Sequence, residues 1–177
     1  LAQNAQVLDA VLDGSFFAPL PTAAQLETQL EAVLAQVQDY EGILDAARIW
    51  QKERHFQIGV LVLRQVISPS EAARAYARLA QAVLRSLWPR VVSEFARRHG
   101  APPGAGAAVR AMGSLGVGAL GPNSDLDLIV IYDAQDARQS DGAKPLAISP
   151  YFARLTQALI TALSAATAQG KLYDVDM

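Results

Sequence analysis

The segment Ala101-Pro102-Pro103-Gly104-Ala105-Gly106 constrains this chain more than any other, because paired prolines and two glycines within six residues cannot sustain a helix. It separates two stretches with different hydrophobic rhythms. Before it, apolar residues recur every three or four positions. Leu26, Leu30, Val33, Leu34 and Val37 follow a Thr22 cap, and Ile43, Leu44, Ala47, Trp50, Phe56, Val60 and Leu63 mark a second helix over about 40–63. A third starts at Ser68-Pro69, where Ser68 and Glu71 form a capping box and proline takes a position whose N–H would have no partner. Its stripe is Tyr76, Leu79, Val83, Leu84, Leu87 and Val91, running towards Phe95 with a kink expected at Pro89. Arg97, Arg98 and His99 before Gly100 suit a helix C-terminus, where cations meet the negative end of the dipole.

Beyond the break the pattern becomes β, β, α, β. A short strand is predicted over 107–112, a glycine-rich turn over 113–124, a strand of high β propensity over 125–132 and a polar loop over 133–145. Ser149-Pro150 is expected to cap a helix with Phe152, Leu155, Leu159, Ile160 and Leu163 as its stripe, and Gly170 to release the chain into a last strand. The expectation is an α+β fold with a helical region over 1–100 and a second domain with a small mixed sheet over 101–177. No internal repeat is visible.

With 177 residues and 51% apolar content the chain can build one sizeable core or two small ones. Fifteen basic and seventeen acidic residues leave a formal charge of −2, which provides no broad basic surface for a polyanion, so no nucleic-acid partner is expected. There is no cysteine, hence no disulfide or thiolate chemistry, and a reducing cytoplasm fits. The longest uncharged stretch, 111–124, is glycine-rich and shorter than a membrane span, and the N-terminus lacks a basic region followed by an apolar one. No targeting or membrane segment is expected. The chain starts without Met and stops on Tyr173-Asp174-Val175-Asp176-Met177, which reads as a trimmed piece cut at a strand.

Asp125-Leu126-Asp127 carries the chemistry. A strand period of two throws both carboxylates to one face, while Leu126, Leu128 and Val130 serve other packing surfaces. Like charges so close repel, and a divalent cation would neutralise both. Carboxylates suit Mg²⁺, which takes further ligands from phosphate oxygens, as a nucleoside triphosphate supplies. A bare Asp-x-Asp also fits a turn cap beside a solvated acid. Gly113-Ser114, separated from Asp125 by ten residues, adds a second element. Glycine lets backbone N–H groups approach an anion, and serine contributes a hydroxyl. The turn is the candidate nucleotide-binding segment, with Gly113 and Ser114 at its start, Gly116 within it and Ser124 at its end. A flexible surface loop is the plainer alternative.

Gly116-Val117-Gly118-Ala119-Leu120-Gly121 also matches a dinucleotide fingerprint, but that motif must open a crossover helix. Only Pro122, Asn123 and Ser124 separate it from the Asp125 strand. On the terminal strand Asp174 and Asp176 alternate with Tyr173 and Val175, so a third carboxylate can join a two-metal site, and Asp176 is the preferred one. His55 and His99 lie on helices without metal-ligand spacing, and Trp50 and Trp88 read as packing. Arg110, Lys144 and Lys171 could touch phosphate, though solvated charges are the simpler reading.

Gly113-Ser114, Asp125-Leu126-Asp127-Leu128 and a later acid resemble the DNA polymerase β-type nucleotidyltransferase superfamily. More closely, four segments resemble in order the bacterial glutamine-synthetase adenylyltransferase family. They are Ala111-Met112-Gly113-Ser114-Leu115-Gly116, Ser124-Asp125-Leu126-Asp127-Leu128-Ile129, Asp141-Gly142 and Leu172-Tyr173-Asp174-Val175-Asp176. Leu8-Asp9-Ala10-Val11-Leu12-Asp13 and Phe56-Gln57-Ile58-Gly59 extend the likeness upstream. The ending resembles the C-terminal, adenylylating half of that two-headed enzyme.

The resemblance implies transfer of AMP from ATP to a tyrosine of glutamine synthetase, with Mg²⁺ or Mn²⁺ required and regulation by glutamine and a PII signal protein. By position, Asp125, Asp127 and Asp176 would bind metal and act in catalysis, and Gly113-Ser114 would lie against the triphosphate. The family usually has Lys at 114 and an Arg-Glu pair at 118 and 119, where this chain has Ser114, Gly118 and Ala119, and a Glu where it has Asp174. Those missing charges leave open a degraded domain that only binds a partner protein. The ending at Met177, which cuts the active-site sheet, leads separately to an expectation of weak or absent turnover by this fragment.

Overall fold

In the computed structural model, residues 19–177 are described; the Leu8 to Asp13 segment of the family likeness lies outside them. Helix α1 (Ala23–Leu34) begins in a capping box. The Gln25 amide donates to the Thr22 hydroxyl at 3.3 Å, and the Thr22 amide donates to the Gln25 side chain at 2.9 Å. Helix α2 (Tyr40–Leu63) starts at Asp39, whose carboxylate accepts from the Gly42 amide at 2.7 Å. Helix α3 (Pro69–His99) opens on the predicted Ser68–Glu71 box, whose hydrogen bonds hold the Glu71 carboxyl below the usual carboxylate range. It runs on through Pro89 to His99 as one helix.

Helix α3 is the axis on which α1 and α2 pack. Small residues, Ala72, Ala75, Ala77, Ala80 and Ala82, let the neighbours approach, and Leu79, Val83, Leu87 and Val91 fill the interface. Two ion pairs tie α1 to α3 across its rim, Arg85 to Glu27 at 2.6 Å and Arg90 to Glu31 at 2.8 Å, and the Arg90 guanidinium lowers the Glu31 pKa. Each joins a more exposed side chain to a half-buried one at the solvent boundary, so each contributes little, on the order of 1 kcal/mol or less.

The sheet comprises β1 (Gly106–Ala111), β2 (Leu126–Asp133) and β3 (Val175–Asp176) in the order β1-β2-β3. β1 and β2 are antiparallel from Gly106↔Asp133 to Ala111↔Leu128, and β2 and β3 are parallel through Leu126↔Val175 and Asp127↔Asp176. A single helical turn, α4 (Gly113–Gly116), stands between β1 and β2, and α5 (Ile148–Ser164) connects β2 to β3. The α+β class and the β, β, α, β order are as expected.

Boundaries differ where tertiary pairing intervenes. β1 and β2 each lie one residue from the predicted limits, leaving Asp125 just outside its strand. α5 is capped by Ala147, not Ser149-Pro150. The Gln139↔Ala147 bridge and the Ile148 amide bond to the Arg138 carbonyl at 3.3 Å hold Ala147 extended, which pushes Ser149 and Pro150 into the first turn. Ile160 sits only half-buried, and Tyr151 and Ala162 join the buried stripe instead.

The predicted break at Gly100 is where α3 ends, yet one hydrophobic core continues across it, from Leu30 and Leu79 to Leu126, Leu128, Phe152 and Leu159. The helical region is docked on the sheet region. Gly100 has φ +85, and an added Cβ would lie 2.5 Å from the Gly142 amide nitrogen, because the 141–144 segment wraps this end of α3. There the Lys144 amide donates to the Arg98 carbonyl at 2.9 Å, and the Tyr151 hydroxyl donates to the Gly100 carbonyl at 2.8 Å.

Burial, with a smaller effect of Asp141, pushes the Tyr151 phenol up to about 12 from an ordinary 10.0. Because the folded pKa is raised, its contribution is complete below pH 10 and disappears as pH rises towards 12. Tyr151→Phe is expected to lower unfolding free energy by about 1 kcal/mol at neutral pH. It should also flatten the fall in stability between pH 10 and 12, both read from urea denaturation midpoints. Equal alkaline slopes in the two proteins would refute the assignment.

Candidate functional site

β1 delivers the chain into a sharp turn at Met112-Gly113. The Met112 amide donates to the Asp127 carbonyl at 2.8 Å, and the chain then winds into α4 with a Gly116 amide bond to the Met112 carbonyl at 2.7 Å. Buried Leu115 anchors the turn below. Leu120, buried and donating its amide to the Ala73 carbonyl at 3.0 Å, fastens the rest of the glycine segment to α3. Gly113, Ser114 and Gly116 therefore stand exposed on a held frame. The first amides of a helical turn have no partner inside it, so they are available to a ligand.

β2 is two-faced. Leu126 and Leu128 are buried and Val130 packs against the core, while Asp127, Ile129 and Ile131 occupy the opposite face. The Asp127 carboxylate lies against Gly113. A Cβ built there would be 2.0 Å from Asp127 Oδ2, and Gly113 has φ +48, so position 113 is closed to a side chain on two counts. Parallel register places Asp176 beside Asp127, both on the same sheet face. Asp176 is exposed, its carboxylate accepting from the Met177 amide at 3.0 Å.

Asp125 is exposed at the entry to β2, two residues before Asp127, and Ser124 precedes it in the Gly121–Ser124 turn. Among the described residues, no three His, Cys, Asp or Glu side chains come together as a group that could hold a metal ion. What the structure brings together is the Asp127–Asp176 pair and Gly113, with Asp125 at the rim. A Mg²⁺ ion needs only one or two protein carboxylates when phosphates and water complete its shell. The close carboxylate over a bare glycine, at the first amides of a helical turn, fits such a metal with its phosphate.

Asp174 is occupied otherwise. Lys171 reaches both its carboxylate oxygens at 2.6 Å, and its carbonyl accepts from the Leu126 amide at 2.9 Å. Of the two histidines, His55 is bonded to the Pro122 carbonyl at 2.8 Å and His99 to that of Lys144 at 2.7 Å. The dinucleotide fingerprint lacks its crossover helix, since β1 and β2 are antiparallel neighbours. Arg110 gains weight: it pairs with Ile129, so it shares the face of Asp127, and it makes no ion pair among the described residues. In the sequence it stood only as one of three cations able to touch phosphate, because the β1–β2 register alone reveals which face it occupies.

The family model described as glutamate-ammonia ligase adenylyltransferase matches residues 1–177. The sequence is 46% identical over 178 residues to the bifunctional glutamine synthetase adenylyltransferase/adenylyl-removing enzyme of Brucella suis biovar 1 (strain 1330). It is 45% identical over 179 residues to that of Xanthobacter autotrophicus, and 44% over 178 residues to that of Agrobacterium fabrum. Each alignment covers 100% of this chain, which spans 18% of the length of those relatives.

If the Gly113–Asp127 contact closes position 113, Gly113→Ala should destabilise the fold by roughly 1–3 kcal/mol. Part of that loss should be recovered in an Asp127→Ala background, where the carboxylate is gone. Denaturant midpoints of the four proteins of this cycle measure it, and strictly additive losses would show that the two positions do not interact.

Proposed function

The chain belongs to the glutamate-ammonia ligase adenylyltransferase family, and on that premise we propose that it carries a site transferring AMP from ATP to a tyrosine of glutamine synthetase. The observation that supports this reading most is Asp127, held against Gly113 and in register with Asp176. In this reading the amides of Gly113 and Ser114 receive the triphosphate, with Gly116 giving it room and Ser124 and Arg110 at the margin. Asp127 and Asp176, with Asp125 at the rim, would hold Mg²⁺ or Mn²⁺, which would offset the triphosphate charge and polarise the α-phosphorus.

The tyrosine oxygen bonds to that phosphorus as the bond to the bridging oxygen breaks and pyrophosphate leaves. A carboxylate of the set, Asp176 by its exposure, takes the phenolic proton. The site is that of the adenylylating half. Glutamine and a PII signal protein act on the longer enzyme, which works in the cytoplasm. Among the described residues no helix is long and apolar enough to cross a membrane.

A second reading, a domain that binds glutamine synthetase without turnover, is favoured by one feature. Val117 is 81% exposed and is followed by Gly118 and Ala119, so the loop presents an apolar tip where the family carries charge.

Calorimetry with a non-hydrolysable ATP analogue and Mg²⁺ separates the two. The enzyme reading expects saturable, Mg²⁺-dependent binding that Asp127→Asn weakens about tenfold or more, the loss of a charge-assisted contact. In the longer enzyme it also expects AMP added to a glutamine synthetase tyrosine, seen by mass. Analogue binding that ignores Mg²⁺ and Asp127→Asn would sink it, and capture of glutamine synthetase without nucleotide binding would establish the second reading.

A further inference from the structure

A groove of about 850 Å³ opens between the start of α2, the end of α3 and the outer face of α5, and none of the site carboxylates lines it. Its inner wall is apolar, formed by Leu44, Val91, Phe95 and Ala158. Its most buried polar member is Arg48, whose side chain is 1% exposed. One terminal nitrogen of Arg48 meets Asp45 at 2.8 Å, the other meets the Ala162 and Ala165 carbonyls at a long 3.4 Å each, and Nε has no partner. A buried guanidinium with an unmet N–H costs stability unless something else uses it.

Around the mouth stand Arg98, Lys144 and Arg154, all exposed and in no ion pair among the described residues. Two acids share the groove, but Glu94 is bonded to Arg97 at 3.1 Å, leaving Glu41 as the one carboxylate there without an ion pair among the described residues. Three unpaired cations against one unpaired carboxylate, in a chain whose formal charge is −2, concentrate positive potential at this spot.

We propose that this groove is a second ligand site, for a small polyanion bearing two or more carboxylate or phosphate groups on an apolar frame. The volume lies in the range of small-molecule sites, and three elements contribute to the lining. The rim cations hold the outer anionic groups, Arg48 Nε meets the innermost, and the Leu44–Phe95 wall takes the frame. An extended acidic peptide fits less well, because the deepest donor lies between helices, beyond the reach of a chain lying across the mouth.

The test uses the whole chain at low ionic strength in buffer freed of metal by passage over a chelating resin, which leaves the carboxylate site silent and adds no soluble polyanion. Tricarballylate and inorganic pyrophosphate serve as probes of the two chemistries, and a hexaglutamate peptide as competitor. One or both small probes should bind saturably, shift the NMR signal of the Arg48 Nε–H group identified through Arg48→Lys, and resist displacement by the peptide. The exposed-residue triple variant Arg98→Gln, Lys144→Gln, Arg154→Gln should fold normally and lose about tenfold in affinity. The stronger of the two probes identifies the carboxylate or phosphate source. No saturable binding of either probe, an unmoved Arg48 signal, full affinity in the triple variant, or tighter binding of the peptide would each overturn the proposal.

Discussion

The site rests on the division of β2 into two faces. Burial of Leu126 and Leu128 is worth roughly 2 kcal/mol for each side chain, and it pins the strand's rotation so that Asp127 must point away from the core. A slip of one residue would bury the carboxylate and expose both leucines, which makes the register hard to change. Everything else at the site is placed relative to that strand. β1 pairs along one side and brings Met112 and Gly113 back over Asp127, and β3 pairs along the other and sets Asp176 beside it.

The helical region supplies the platform. α3 reaches under the glycine segment, where its Ala73 carbonyl takes the Leu120 amide, and it meets α5 through Tyr151 and Gly100. The glycine turn is therefore exposed without being loose. Its buried leucines carry the anchoring while its glycines and Ser114 face outward. The C-terminal end of α3, together with α2 and α5, lines the cationic groove, so α3 takes part in two separate surfaces.

Much of this was legible in the residues. The capping boxes at Thr22 and Ser68 marked helix starts because side chain and backbone satisfy each other locally, with no help from the rest of the fold. The Asp-Leu-Asp alternation and the short Gly121 to Asp125 spacing pointed to an outward carboxylate face and against a crossover helix. The start of α5 was misplaced because a bridge between Gln139 and Ala147, not a side-chain cap, sets it. Arg48 in the groove carried no signal, and Arg110 only that of one cation among three able to touch phosphate, since each placement depends on a partner element elsewhere in the chain.

By itself the sequence determined the element types, the two-faced strand and the residue types able to meet a metal and a phosphate, because period, capping and glycine freedom act over a few residues. Only tertiary structure decided that Asp176 stands beside Asp127, that Asp174 is tied to Lys171, and that Gly113 is closed to any side chain by the carboxylate against it. Those outcomes come from strand register and packing between segments distant in the chain, where distance in sequence carries no information about distance in space.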